Sequence, residues 1–127
     1  MKYGFSKTTD YSFEQAIEKV TEELKKEGFG VLTTIDVKDT LKKKIDVDFK
    51  KYTILGACNP SFAHQALQVE EELGLLLPCN VIVYENNEKT VVSIFDPRVM
   101  TLVIENPEMK SVAEEVKNKL QRVLEAV

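Results

Sequence analysis

Seven residues between positions 58 and 96 could do chemistry: Cys58, Asn59, His64, Glu70, Cys79, Asn80 and Asp96. Two thiols, one imidazole and one carboxylate (Cys58, His64, Glu70 and Cys79) are the donors a divalent metal ion would use. Two Cys and one His fall short of a structural zinc quartet, and the cysteines do not form CxxC. Cys58 stands just before a helix start, where aligned amides favour a thiolate. The plainer reading makes it a small buried hydrophobe at a strand end. Cys79, between Pro78 and Asn80, has the same two readings.

His64 and Glu70 belong to one helical segment. At helical spacing Phe62, Ala66, Val69 and Leu73 share a face, and His64 falls on the far side with Gln68 and Glu71. A surface histidine follows, unless a loop or a second subunit covers it. Glu70 lies near the apolar face, where a carboxylate is costly unless bonded or paired. It either caps a short helix over Glu71 to Leu76 or is a functional buried acid. Asp96 precedes Pro97, so it is either a turn former or a site residue.

These residues hang on a simple framework. Tyr3 and Phe5 alternate with polar residues, as in a half-buried strand over 2–8. Ser12 and Gln15 spell a capping box, and Phe13, Ile17, Val20 and Leu24 form a helical stripe that Gly28 ends. Phe29 to Ile35 reads as a second strand. Asp36 can cap a short helix through Lys44. Tyr52 to Cys58 is apolar on both faces, a central strand. Asn59-Pro60 opens a helix running to about Leu73, with Asn as cap and Pro in the first turn. Cys79 to Glu85 and Thr90 to Asp96 flank the tight turn Asn86-Asn87-Glu88-Lys89, and 98–104 is ambiguous between a helical turn and an edge strand. Asn106-Pro107 repeats the cap signature before a stripe of Met109, Val112, Ala113, Val116, Leu120, Val123 and Leu124. The order β-α-β-(α)-β-α-β-β-α predicts an α+β fold. It is a two-layer α/β sandwich with three principal helices on a mixed sheet of about five strands.

A helix joining the third and fourth strands suggests a crossover between parallel neighbours. Cys58 would then end one strand and Cys79 begin the next. At roughly 3.3 Å per residue, strands of about six residues place them about 20 Å apart. A disulfide tolerates about 7 Å between Cα atoms, so none is expected. The same geometry splits the candidates between two ends of the sheet: Cys58 and Asn59 at one, Glu70, Cys79, Asn80 and Asp96 at the other.

Composition excludes some classes. The 127 residues are enough for one domain over 1–127 with its own core. A net charge of −4 gives no basic footprint for nucleic acid. No apolar run approaches the ~20 residues of a membrane span, and MKYGFSKTT lacks a signal core. A cytoplasmic protein with reduced thiols is expected. There is no GxxxxGK[ST], GxGxxG or GxSxG, and a lone His leaves little for a triad. With no recognisable catalytic motif, the chain reads as a binding domain before an enzyme.

The run GACNPSFAHQAL, then GLLLPCNVIVYE, then Phe95-Asp96-Pro97, resembles the family called domain of unknown function 302. The similarity extends to GFGVLTTIDVKDTLKKK and so covers most of the chain. The resemblance implies a sandwich of β-α-β units and a tendency to homodimerise. The matching positions are Cys58, Asn59, Pro60, His64, Leu77, Pro78, Cys79, Asn80 and Asp96. It gives none of them a role. The leading expectation is a homodimer that binds a small ligand or metal ion near the central stretch. A thiol-based sulfur or redox protein using Cys58 or Cys79 is the second. A structural or interaction module is the third.

Overall fold

The computed structural model describes residues 2–127. Strand β1 (Gly4–Thr9) leads to helix α1 (Phe13–Lys26), β2 (Gly30–Asp36) and α2 (Val37–Ile45). Strand β3 (Tyr52–Cys58) follows, then α3 (Pro60–Val69) and a 3-10 segment, Glu71–Leu76. Strands β4 (Cys79–Asn86) and β5 (Lys89–Phe95) form a hairpin. A 3-10 turn at Pro97–Val99, the short α4 (Met100–Val103) and α5 (Pro107–Ala126) complete the chain.

The local signals explain most boundaries. Ser12 Oγ accepts from Gln15 N and Gln15 Oε1 accepts from Ser12 N, both at 3.2 Å, so the capping box is present. Gly28 has φ 85°, and Phe29 N and Gly28 N donate back to the carbonyls of Leu24 and Lys25. That is the paired pattern of a helix closed by a left-handed residue. Asp36, Asn59 and Asn106 each accept from a backbone amide at the start of the next helix. Asn87 and Glu88 both have positive φ, as the two-residue hairpin turn requires. The ambiguous 98–104 stretch is helical as far as Val103. Asp96 accepts from Arg98 N, and Thr101 Oγ1 donates to the Arg98 carbonyl.

The α+β class, the two layers and the five strands are as expected. The strand order is β1-β5-β4-β3-β2. Every neighbouring pair is antiparallel, so the sheet is not mixed. The decisive pair is β3 with β4, where Ala57 lies opposite Cys79. The chain between them does not cross the sheet. Helix α3 packs chiefly on α5 and on the 3-10 segment, which turns the chain back. It therefore re-enters the sheet at the end it left. The crossover expectation and the 20 Å separation drawn from it are overturned.

Helices α1 and α5 cover one face. Val20, Leu24, Leu120 and Val123 from the helices meet Leu55, Val81, Val83, Val92 and Ile94 from the sheet in one buried cluster. Lys7 on β1 donates to the carbonyls of Leu124, Glu125 and Val127 and so closes the end of α5. The opposite face of the sheet carries Ile35, Ile54 and Ile82 side by side, with Tyr52, Tyr84 and Val91 in the next row. The rings of Tyr52 and Tyr84 stack with centroids 5.4 Å apart.

Candidate functional site

Antiparallel pairing brings the start of β2, the end of β3, the start of β4 and the end of β5 to one edge. Gly30 pairs with Cys58, Ala57 with Cys79, and Val81 with Ile94. The two supposed ends of the site are thus one end. Against it sits a pocket of about 370 Å³. Helix α3 supplies Phe62, Ala63, Ala66 and Leu67, the 3-10 segment Leu73 and Gly74, and the first turns of α5 Met109, Val112 and Ala113. Phe29, Leu32 and Met100 close other sides. The amphipathic stripes account for these walls. Ala66 and Leu73 of the predicted α3 face are buried, and Phe62 and Val69 pack on the core.

Of the seven candidates, Cys58, Asn59 and Cys79 line this pocket. Asn59 is committed to the fold. Its Oδ1 accepts from Phe62 N and its Nδ2 donates to the Glu27 carbonyl, both at 3.4 Å. Cys58 is half-buried and Cys79 is buried. Burial pushes the Cys79 thiol up to about 12, and the neighbouring Cys58 adds to the rise. Such a thiol stays protonated at neutral pH and is a poor nucleophile.

The other four stand apart from the cavity. His64 is exposed on the outer side of α3, its Nε2 3.3 Å from Gln68 Nε2. Glu70 is half-buried where α3 ends. Its backbone carbonyl accepts from Leu73 N at 3.1 Å, while its side chain makes no cap bond, so it marks a helix edge and does not line this pocket. Asn80 is exposed and does not line the pocket. Asp96 is at the expected sheet end but is 2% exposed and turned to Arg98. Arg98 Nη2 lies 2.7 Å from Oδ2, and Nε lies 3.1 Å from both carboxylate oxygens. Among the described residues no group of three or more His, Cys, Asp or Glu is placed to hold a metal ion.

Asp96 is a structural carboxylate. Burial pushes its pKa up, but the hydrogen bonds from the Arg98 side chain and backbone outweigh this and hold it below 3.8. A depressed folded-state value stabilises the protein above the unfolded value and loses that contribution as pH falls through the folded one. We expect Asp96→Asn to be less stable than wild type at pH 7, with the difference starting to shrink below about pH 4 and closing only as pH falls through the lower folded-state value. Urea midpoints measured at pH 7 and in steps down to about pH 2 check this; a difference unchanged at the lowest pH excludes the ionic role.

Sequence reading missed the pocket's main feature, which is its apolar depth. It sought donors, whereas the lining is mainly leucine, phenylalanine, methionine and alanine from six elements. Leu32 carried no sequence signal, since it reads as one more apolar residue of the strand Phe29 to Ile35. It sits at an irregularity between Val31 and Thr33 of β2, is 68% exposed, and lines the pocket.

Comparison with known proteins gives a family and no activity. No curated protein matches the chain. A similar solved structure is the crystal structure of the uncharacterized conserved protein DUF302 from Bacillus stearothermophilus. It is 29% identical, with a TM-score of 0.93 over 99% of this chain and 98% of that one. The model of the domain of unknown function DUF302 matches residues 5–127, and the chain belongs to that family.

Proposed function

We propose that the protein is a cytoplasmic homodimer that binds a small apolar molecule in the pocket at the Cys58–Cys79 end of the sheet. The observation that carries this is the cavity itself. At about 370 Å³ it falls in the range of small-molecule sites, concave and mainly apolar with a few polar groups. A metal ion is the weaker occupant, because the four supposed ligands do not converge. No helix among the described residues is long and apolar enough to cross a membrane. Reduced thiols suit the cytoplasm. The row Ile35, Ile54 and Ile82 favours a second copy on the sheet face turned away from α1 and α5.

Filling the pocket tests the reading. Ala113 is buried and lines the cavity from α5. An environment-sensitive apolar dye is expected to bind the wild type and to bind Ala113→Phe at least tenfold more weakly. Added volume costs about 1–3 kcal/mol in a packed core, so Ala63→Leu on the half-buried opposite wall is the second variant. Equal dye binding by wild type and both folded variants rejects the pocket. Sedimentation equilibrium on the same samples reports the dimer.

A second reading, thiol chemistry, is favoured by the shared position of the cysteines on the pocket wall. It falls to Cys58, because Cys79 is buried and protonated. Native alkylation at pH 8 should modify Cys58 and spare Cys79. Peptide mapping reads this directly, and two unmodified cysteines would remove the thiol reading.

A further inference from the structure

The pocket's electrostatics select among apolar ligands. Among the described residues no charged side chain lines it. Its polar groups are the neutral Thr33 hydroxyl, the Asn59 amide and the two thiols. Two helix starts border it, and such starts ordinarily attract anions through free amides. Here both are closed. Pro60 and Pro107 carry no N–H at the first helical position. Asn59 Oδ1 accepts from Phe62 N, Asn106 Oδ1 from Glu108 N, and Met109 N donates to the Asn106 carbonyl. Ala63 N is taken by the Asn59 carbonyl.

A carboxylate in this cavity would find no cation on the lining and hardly any free amide; Lys119, 5.9 Å from the Phe62 ring centroid, is paired with Glu27 at 3.8 Å. An ammonium group would find no anion. Either would lose hydration without replacement, which strongly disfavours its entry. The geometry points to an uncharged hydrophobic ligand, a medium-length aliphatic alcohol or ester or a molecule of similar size, as the occupant of the proposed pocket. An apolar cavity of about 150 Å³ holds benzene, so by proportion this one holds on the order of 15 non-hydrogen atoms. The inference rests on the binding reading above and adds the charge and size of the ligand.

The test is displacement of the apolar dye from the full chain at pH 7.5 by four probes of equal chain length: 1-decanol, methyl decanoate, decanoate and decylamine. The alcohol and the ester are expected to compete at least tenfold more strongly than either ion. Decanoate should gain at least tenfold as pH is lowered from 7.5 to 4.5, where it is mostly the neutral acid. Decanoate or decylamine competing as well as decanol at pH 7.5 overturns the charge selection while leaving the pocket reading intact. Absence of dye binding, with no thermal shift from any of the four, overturns the pocket reading as well. Dye release in step with dimer formation by sedimentation assigns the cavity to the second copy and overturns a small-molecule ligand.

Discussion

Gly56→Ala is expected to destabilise the protein by about 1–3 kcal/mol, and Gly56→Val by more. Gly56 is buried in β3, with Thr33 of β2 opposite it and Asn80 of β4 on the other side. A Cβ at this position would collide with Thr33 Oγ1 and lie 2.8 Å from Pro78 Cγ. The hydroxyl could rotate aside, whereas the proline ring is held between Leu77 and Cys79 at the entry to β4. Strain therefore falls on the sheet end that carries the pocket. Urea unfolding checks the size of the loss. Adding Thr33→Ala removes one of the two collisions and should recover part of it, while the Pro78 contact keeps recovery incomplete. If Gly56→Ala unfolds within about 0.5 kcal/mol of wild type, the close approach of Thr33 and Pro78 does not constrain this position.

That position shows where sequence reading stops. The caps at Ser12, Asn59 and Asn106 and the stop at Gly28 are local chemistry, and each is legible from a few neighbouring residues. Period and turn composition likewise reveal five strands and three principal helices. The direction of β4 against β3 is not local. It depends on α3 resting against α5, a contact sealed by Asn106 Nδ2 donating to the Val69 carbonyl at 3.2 Å. Those residues are far apart in the chain, and no spacing rule joins them. The same contact ends α3 at Val69, short of the expected Leu73, and lets Glu71–Leu76 turn the chain back.

The consequence for the site is large. With parallel strands Cys58 and Cys79 would occupy opposite ends, and Glu70 with Asp96 would be the natural acids of a polar pocket. With antiparallel strands the thiols share one apolar wall. Glu70 becomes a helix edge, and Asp96 spends its charge on Arg98. The residues that drew attention were chemically versatile. The residues that build the cavity are chemically plain, and only their convergence from separate elements makes them a site.

Leu73→Ala is expected to cost about 2–5 kcal/mol, the range for removing a fully buried leucine. Leu73 is 1% exposed, lines the pocket, and is the buried residue of the 3-10 segment. Its amide holds the Glu70 carbonyl while its side chain enters the core, so one residue pins the reversal between α3 and β4. Leu75, two positions on, is 83% exposed. Leu75→Ala should therefore change stability by no more than about 0.5 kcal/mol. The pair separates burial from helix propensity, because both changes replace leucine by alanine in one short segment. Native-state hydrogen exchange gives a second reading. In Leu73→Ala the amides at positions 73 and 77, which bond within this turn, should lose protection by a larger factor than those of α1. Uniform loss across the chain would mean that the segment unfolds only with the whole protein. The pocket wall would then be as stable as the core it leans on.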